Sequence, residues 1–124
     1  MKRTLLLAVM TACLFATSAS RADDPVKVDP KHYKVEFEND TVRVLRIHYG
    51  PGEKSVMHDH PEAVAIFLTD EESKMTLPDG TTRVDKNKAG TVLMGTGGAH
   101  LPENIGSKPM ELILVELKTK PAAK

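Results

Sequence analysis

Tryptophan is absent from this chain, aromatic residues make up only 4% of its 124 positions, and cysteine occurs once. That cysteine, Cys13, lies in an apolar run near the start, so the remainder of the chain can form no internal disulfide and has to hold together by packing. With six Met and few large rings, the core must be filled by aliphatic and thioether side chains, which adapt to irregular space. An excess of basic charge is also missing. Lys plus Arg and Asp plus Glu number 17 each, which leaves no basic face for nucleic acid. No later segment reaches the roughly 20 apolar residues that a membrane-spanning helix needs. No internal repeat or low-complexity stretch is present.

Residues 1–22 read as a secretory signal. Lys2 and Arg3 form a basic start, Leu5 to Ala16 is an apolar run too short to span a bilayer permanently, and Ser20-Arg21-Ala22 offers small residues for cleavage. A periplasmic or secreted protein, with no membrane attachment after cleavage and a balance of about −3, is the expectation. Met10-Thr11-Ala12-Cys13 leaves lipoprotein processing open as the alternative. About 100 residues then remain, enough for one domain. Residues 23–33, rich in Pro, Asp and Lys, read as an irregular arm that leaves His32 solvated; residues 34–118 form the domain and 119–124 a flexible tail.

What is present over the domain is strand after strand. Segments 34–38, 41–49, 63–69, 73–77, 81–85, 91–94, 100–103 and 110–118 are short and β-prone, and turn signals at Asn39-Asp40 and Pro78-Asp79-Gly80 separate them. None has a convincing 3.6-residue period, so an all-β sandwich or small antiparallel barrel is expected. The segments 63–68 and 112–115 are apolar on both faces. One face can fill the barrel, and the other needs cover from a packed second layer or from a second copy in a homodimer.

Chemistry concentrates in Gly52-Glu53-Lys54-Ser55-Val56-Met57-His58-Asp59-His60. In extended backbone successive side chains alternate faces, so His58 and His60 share one and Asp59 takes the other. His100, in Gly97-Gly98-Ala99-His100-Leu101-Pro102-Glu103-Asn104, is the third imidazole if the two segments pair. Glu62 and Glu103 lie near these His in sequence and are candidate substrate-side or supporting residues, as is His48 on a neighbouring strand. Ser55 and Thr96 have no adjacent base in sequence and read as turn formers, and Met57 and Met94 read as core.

These two segments resemble the two motifs of the cupin family. Gly52, five residues, His58, one residue, His60 matches the start of the first; Gly97, two residues, His100, three residues, Asn104 matches the end of the second. The resemblance spans roughly residues 42 to 117 and is nearest to short single-domain proteins labelled β-alanine degradation proteins of the BauB type. It implies a small antiparallel jelly roll, a metal held by His58, His60 and His100, a turn-forming or site-bordering Asn104, and a homodimer. The glutamate ligand of the first motif, placed after three or four intervening residues, falls on Val64 or Ala65, so a fourth ligand does not carry over.

Three imidazoles suit Fe, Zn, Mn, Ni or Cu, leave the ion's dipositive charge uncompensated, and keep coordination positions open, as catalytic sites do. Two function classes follow: a metal-dependent enzyme, dioxygenase-like, acting on a small anionic or chelating compound, or a non-catalytic periplasmic module that binds metal or a small ligand.

Overall fold

The computed structural model describes residues 23–119. The expected signal segment, with Cys13, and the tail beyond Thr119 lie outside the described residues. A short helix, α1 (Pro25–Val28), precedes nine strands: β1 (Tyr33–Glu38), β2 (Val42–Tyr49), β3 (His58–His60), β4 (Ala63–Phe67), β5 (Glu71–Thr76), β6 (Thr82–Asn87), β7 (Val92–Gly95), β8 (Gly98–Asn104) and β9 (Met110–Leu117). Turn chemistry sets the reversals. Asn39 Oδ1 accepts from the backbone N–H of Thr41 and Val42 between β1 and β2, and Asp79 Oδ1 accepts from Thr81 N–H beside Gly80, whose φ is +85°.

The strands form two antiparallel sheets, ordered β1-β2-β9-β4-β7 and β3-β8-β5-β6. This is the expected all-β jelly roll. Along β2, residues Arg43, Leu45, Ile47 and Tyr49 point inward; along β9, Met110, Leu112, Leu114 and Glu116 do the same. Tyr33, Leu45, Ile47, Tyr49 and Met110 make the buried core cluster, with Leu112 and Leu114 packed against it. Its two tyrosines share a hydroxyl–hydroxyl hydrogen bond of 2.7 Å, which satisfies both buried polar ends.

The outer face of the five-stranded sheet is open. The registers align Phe37, Val44, Val115, Val64 and Met94 in one row across all five strands. Phe37 and Met94 are 53% and 58% exposed, so no packed second layer covers them among the described residues. Met94 is therefore a surface residue of the edge strand β7, not part of the core.

The arm before β1 is more structured than its composition suggests. Asp24 caps α1, accepting from Val26 N–H at 2.9 Å, and Pro25 occupies the first turn, where its missing N–H costs nothing. His32, expected to be solvated, is 5% exposed. Its ring stacks on Tyr49 at 4.2 Å between centroids, and Nδ1 faces the Asp29 carboxylate at 2.7 Å. The local polarity of the segment conceals this, because the ring that covers His32, Tyr49, comes from β2.

Leu45 is fully buried at the centre of β2. Leu45→Ala is expected to cost about 2–5 kcal/mol, seen as a lower urea midpoint at unchanged slope. A cost under about 0.5 kcal/mol, the range of surface substitutions, would contradict the core assigned here.

Candidate metal centre

β3 and β8 pair antiparallel with His58 directly opposite His100 and His60 opposite Gly98. The backbone permits this because Gly97, with φ +80°, sits hard against the β3–β4 connection. A Cβ there would lie 2.8 Å from His60 O and from the Pro61 carbonyl carbon, closer than side-chain atoms come to backbone. Alternation then turns His58, His60 and His100 to the interior, and their three rings meet at centroid separations of 4.9, 4.9 and 5.2 Å.

One nitrogen from each ring lies within 4.8 Å of the others. The Nε2 atoms of His58 and His100 are 3.1 Å apart. Bonds of about 2.0–2.2 Å to a first-row ion require ligand nitrogens about 3.0–3.4 Å apart, so the closest pair already has that separation. Hydrogen bonds on the far side of two rings select the tautomer. His58 Nδ1 donates to Val56 O at 2.8 Å. His60 Nδ1 donates to Glu116 Oε2 at 2.7 Å. Both partners only accept, so each ring presents the lone pair of Nε2 to the centre. The donor set fits a divalent transition ion.

Protonation favours the same use. Burial, reinforced by the neighbouring His60, pushes His58 down to about 4. Burial, with His60, His58 and Arg83 adding to it, pushes His100 down to about 3. At neutral pH both rings are uncharged ligands.

Glu116 was not among the residues singled out in the sequence. It is 2% exposed, and its other oxygen accepts from Arg43 Nε at 2.6 Å, while Arg43 Nη1 donates to Asp24 Oδ2 at 2.6 Å. Burial alone would raise the Glu116 carboxyl. The hydrogen bonds from His60 and Arg43 outweigh burial and hold it below its usual range. The readable signal is parity: Glu116 and Arg43 each occupy a position on a strand face otherwise filled by apolar and aromatic residues, and the register sets them opposite one another.

The other expected site residues are not brought to the centre. His48 points to the exposed outer face, opposite Glu111 on β9. Glu62 is exposed in the β3–β4 turn, and Glu103, on the face of β8 away from His100, pairs with Lys74 at 3.0 Å. Asn104 is buried and holds a turn: Nδ2 donates to the carbonyls of Gly50 and Lys108, and Oδ1 accepts from Gly106 N–H. Ser55 is buried and donates to Asp29 Oδ2 at 2.5 Å. The carboxylate thus lies between Ser55 and His32, and His58 Nδ1, 3.3 Å from Ser55 Oγ, directs its N–H to Val56 O, so neither imidazole is placed to activate the hydroxyl.

His60 and His100 form part of the wall of an interior cavity of about 420 Å³, within the size range of small-molecule sites. Most of the wall is apolar, including Phe67, Met75, Leu93 and Leu114, with Arg83, Glu71, Tyr33 and Tyr49 as its other ionisable members. Ala65 also faces this cavity.

No protein-family model matches the chain, and no curated protein matches it. Solved structures do. A cupin domain from Bordetella pertussis Tohama I superposes with a TM-score of 0.65 at 20% identity, over 70% of this chain and 92% of that one. An RmlC-like cupin with a double-stranded β-helix from Methanocaldococcus jannaschii gives 0.55 at 24% identity, over 72% and 83%. The polyketide cyclase RemF from Streptomyces resistomycificus gives 0.54 at 16% identity, over 72% and 66%. The fold is that of the cupins, and its three neighbouring His are compatible with metal binding.

The depressed imidazoles make stability pH-dependent. Unfolded, both rings titrate near 6.5; folded, at about 4 and about 3. Below 6.5 the unfolded chain therefore binds more protons, and stability falls as pH falls through that window. Metal-free protein should show a lower urea midpoint at pH 5.5 than at pH 7.5, above the range where carboxylates titrate. Equal midpoints would show that these rings are not held neutral by the fold.

Proposed function

We propose that this chain is a metal-dependent cupin that holds a divalent transition ion on His58, His60 and His100 and acts on a small anionic or chelating compound in the adjoining cavity. The observation that carries the reading is the convergence of three inward imidazoles, two with their outer nitrogens already committed and two, His60 and His100, on the wall of an apolar cavity. When bound, the ion supplies Lewis acidity and, if it is iron, redox chemistry.

The protein's own part is positioning and exclusion of water. Glu116 and the Val56 carbonyl lock the two ring tautomers, and Arg43 keeps Glu116 ionised. Apolar walls lower the local dielectric, which strengthens the attraction between a charged centre and an anionic ligand. Tyr33 packs edge-on against His58 at 4.8 Å between centroids and lines the cavity. Burial raises its hydroxyl well above the usual value, so it stays neutral and acts as a hydrogen-bonding group, not as a base. Acid–base groups of the protein are sparse at the centre, so the substrate class that fits is one activated by chelation itself.

The test is elemental analysis of the purified protein, followed by oxygen uptake on the Fe(II)-loaded form with chelating acids. About one ion per chain is expected, and His58→Ala, His60→Ala and His100→Ala should each abolish stoichiometric binding while circular dichroism stays native. Full metal content in folded variants would falsify the centre. Retained metal without turnover on any chelating acid would favour the binding-module alternative.

A second measurement isolates the supporting carboxylate. Glu116→Gln leaves all three ligands in place but removes the charge that fixes the His60 tautomer. Metal affinity should fall about 10- to 100-fold, read by competition with a chromogenic chelator; unchanged affinity would reduce Glu116 to a packing role.

A further inference from the structure

The geometry points to Arg83 as the anchor for the anionic end of the ligand, making the substrate an organic acid with a compact apolar body that lies between the guanidinium and the three-His centre. This rests on the reading of the cavity as a substrate site.

Arg83 is on β6, opposite Met75 of β5, and Met75 is opposite Pro102 of β8, two residues beyond His100. Met75 and Pro102 both face the cavity, and cross-strand partners share a face, so Arg83 is set on the interior side of an edge strand.

The guanidinium is held but not used up. Nε donates to both oxygens of Asp85 at 3.1 Å, which fixes the plane of the fork. Neither terminal amino group has a protein acceptor among the described residues. Two parallel donors on a fixed plane are what a carboxylate accepts. Among the described residues the only carboxylate that forms part of the cavity wall, Glu71, lies four residues from Met75 along β5, about 13 Å away by strand rise, and is occupied by Ser73 Oγ at 2.6 Å and Asn87 Nδ2 at 2.5 Å. Arg83 is therefore the cation available to a ligand, and Met75, Leu77, Leu93 and Leu114 dictate an apolar body.

The experiment compares two probes of equal chain length, octanoate and octan-1-ol, by titration calorimetry on the zinc-loaded protein, with zinc content measured on the same samples. Wild type is expected to bind octanoate about tenfold or more tighter than the alcohol, as a charge-assisted hydrogen bond would give. Arg83→Gln should abolish that preference and leave the alcohol and the zinc content unchanged, and Arg83→Lys should keep part of it. Arg83 is exposed on an edge strand, so both variants are expected to fold. Octanoate binding that is absent, or equal in wild type and Arg83→Gln, overturns the assignment. Failure of zinc to bind overturns the metal centre instead, and the octanoate-to-octanol ratio of the zinc-free protein then still decides Arg83.

Discussion

A single buried carboxylate ties this molecule together. Glu116 belongs to the five-stranded sheet and His60 to the four-stranded one, so their hydrogen bond joins the two layers at the place where the metal ligands stand. A carboxylate this buried is tolerable only with its charge matched, and Arg43, its cross-strand neighbour, supplies the match. Breaking a buried pair of this kind from one side leaves an uncompensated charge and costs about 3–5 kcal/mol. Geometry of the site and cohesion of the sheets therefore cannot vary independently.

The N-terminal arm extends the same logic. Asp24 completes the acid–base–acid chain by taking the second face of Arg43, and Asp59 N–H, between the two first-motif imidazoles, donates to Asp23 O. Further along, Asp29 collects Ser55 and His32, while Glu53 accepts from Lys31 and from Gly50 N–H. Besides Val26, which packs against the core cluster, this polar-rich segment is held in place by directed hydrogen bonds. These need specific partners, which only the tertiary fold brings near.

That difference explains what could be read in advance. Strand positions followed from period-2 alternation and turn residues, both local properties, and the observed strands other than β3, which was read only as extended backbone, start and end within a few residues of the expected ones. The His58, His60 and His100 set was legible for the same reason: two members are fixed by alternation within one strand, and the third by a glycine-led segment whose pairing partner could be guessed. Glu116, Arg43 and His32 were not legible. Their burial depends on which strand faces which, and a polar residue in a strand gives no sign of whether its partner exists. His48 illustrates the converse. It sits on a central strand beside Ile47 and Tyr49, yet parity sends it to the outer face, where proximity in sequence to the core counts for nothing.

Charge accounting joins the site to its ligand. Imidazoles that hold an ion by a lone pair add no formal charge to it, and the carboxylate nearest to them is already balanced by Arg43. Ala65, lining the cavity beside the centre, adds no acid there. A dipositive ion held by these residues would therefore keep its charge, in surroundings of low dielectric where the electrostatic cost of leaving it unbalanced is high. Neutrality then has to come from the ligand, and the apolar wall limits where its anionic groups can stand. The ligand's anionic end belongs at Arg83, on the same interior face, and any second anionic group belongs at the ion. The same absence of acidic groups that leaves the centre without a base of its own thus selects for a substrate that brings negative charge with it.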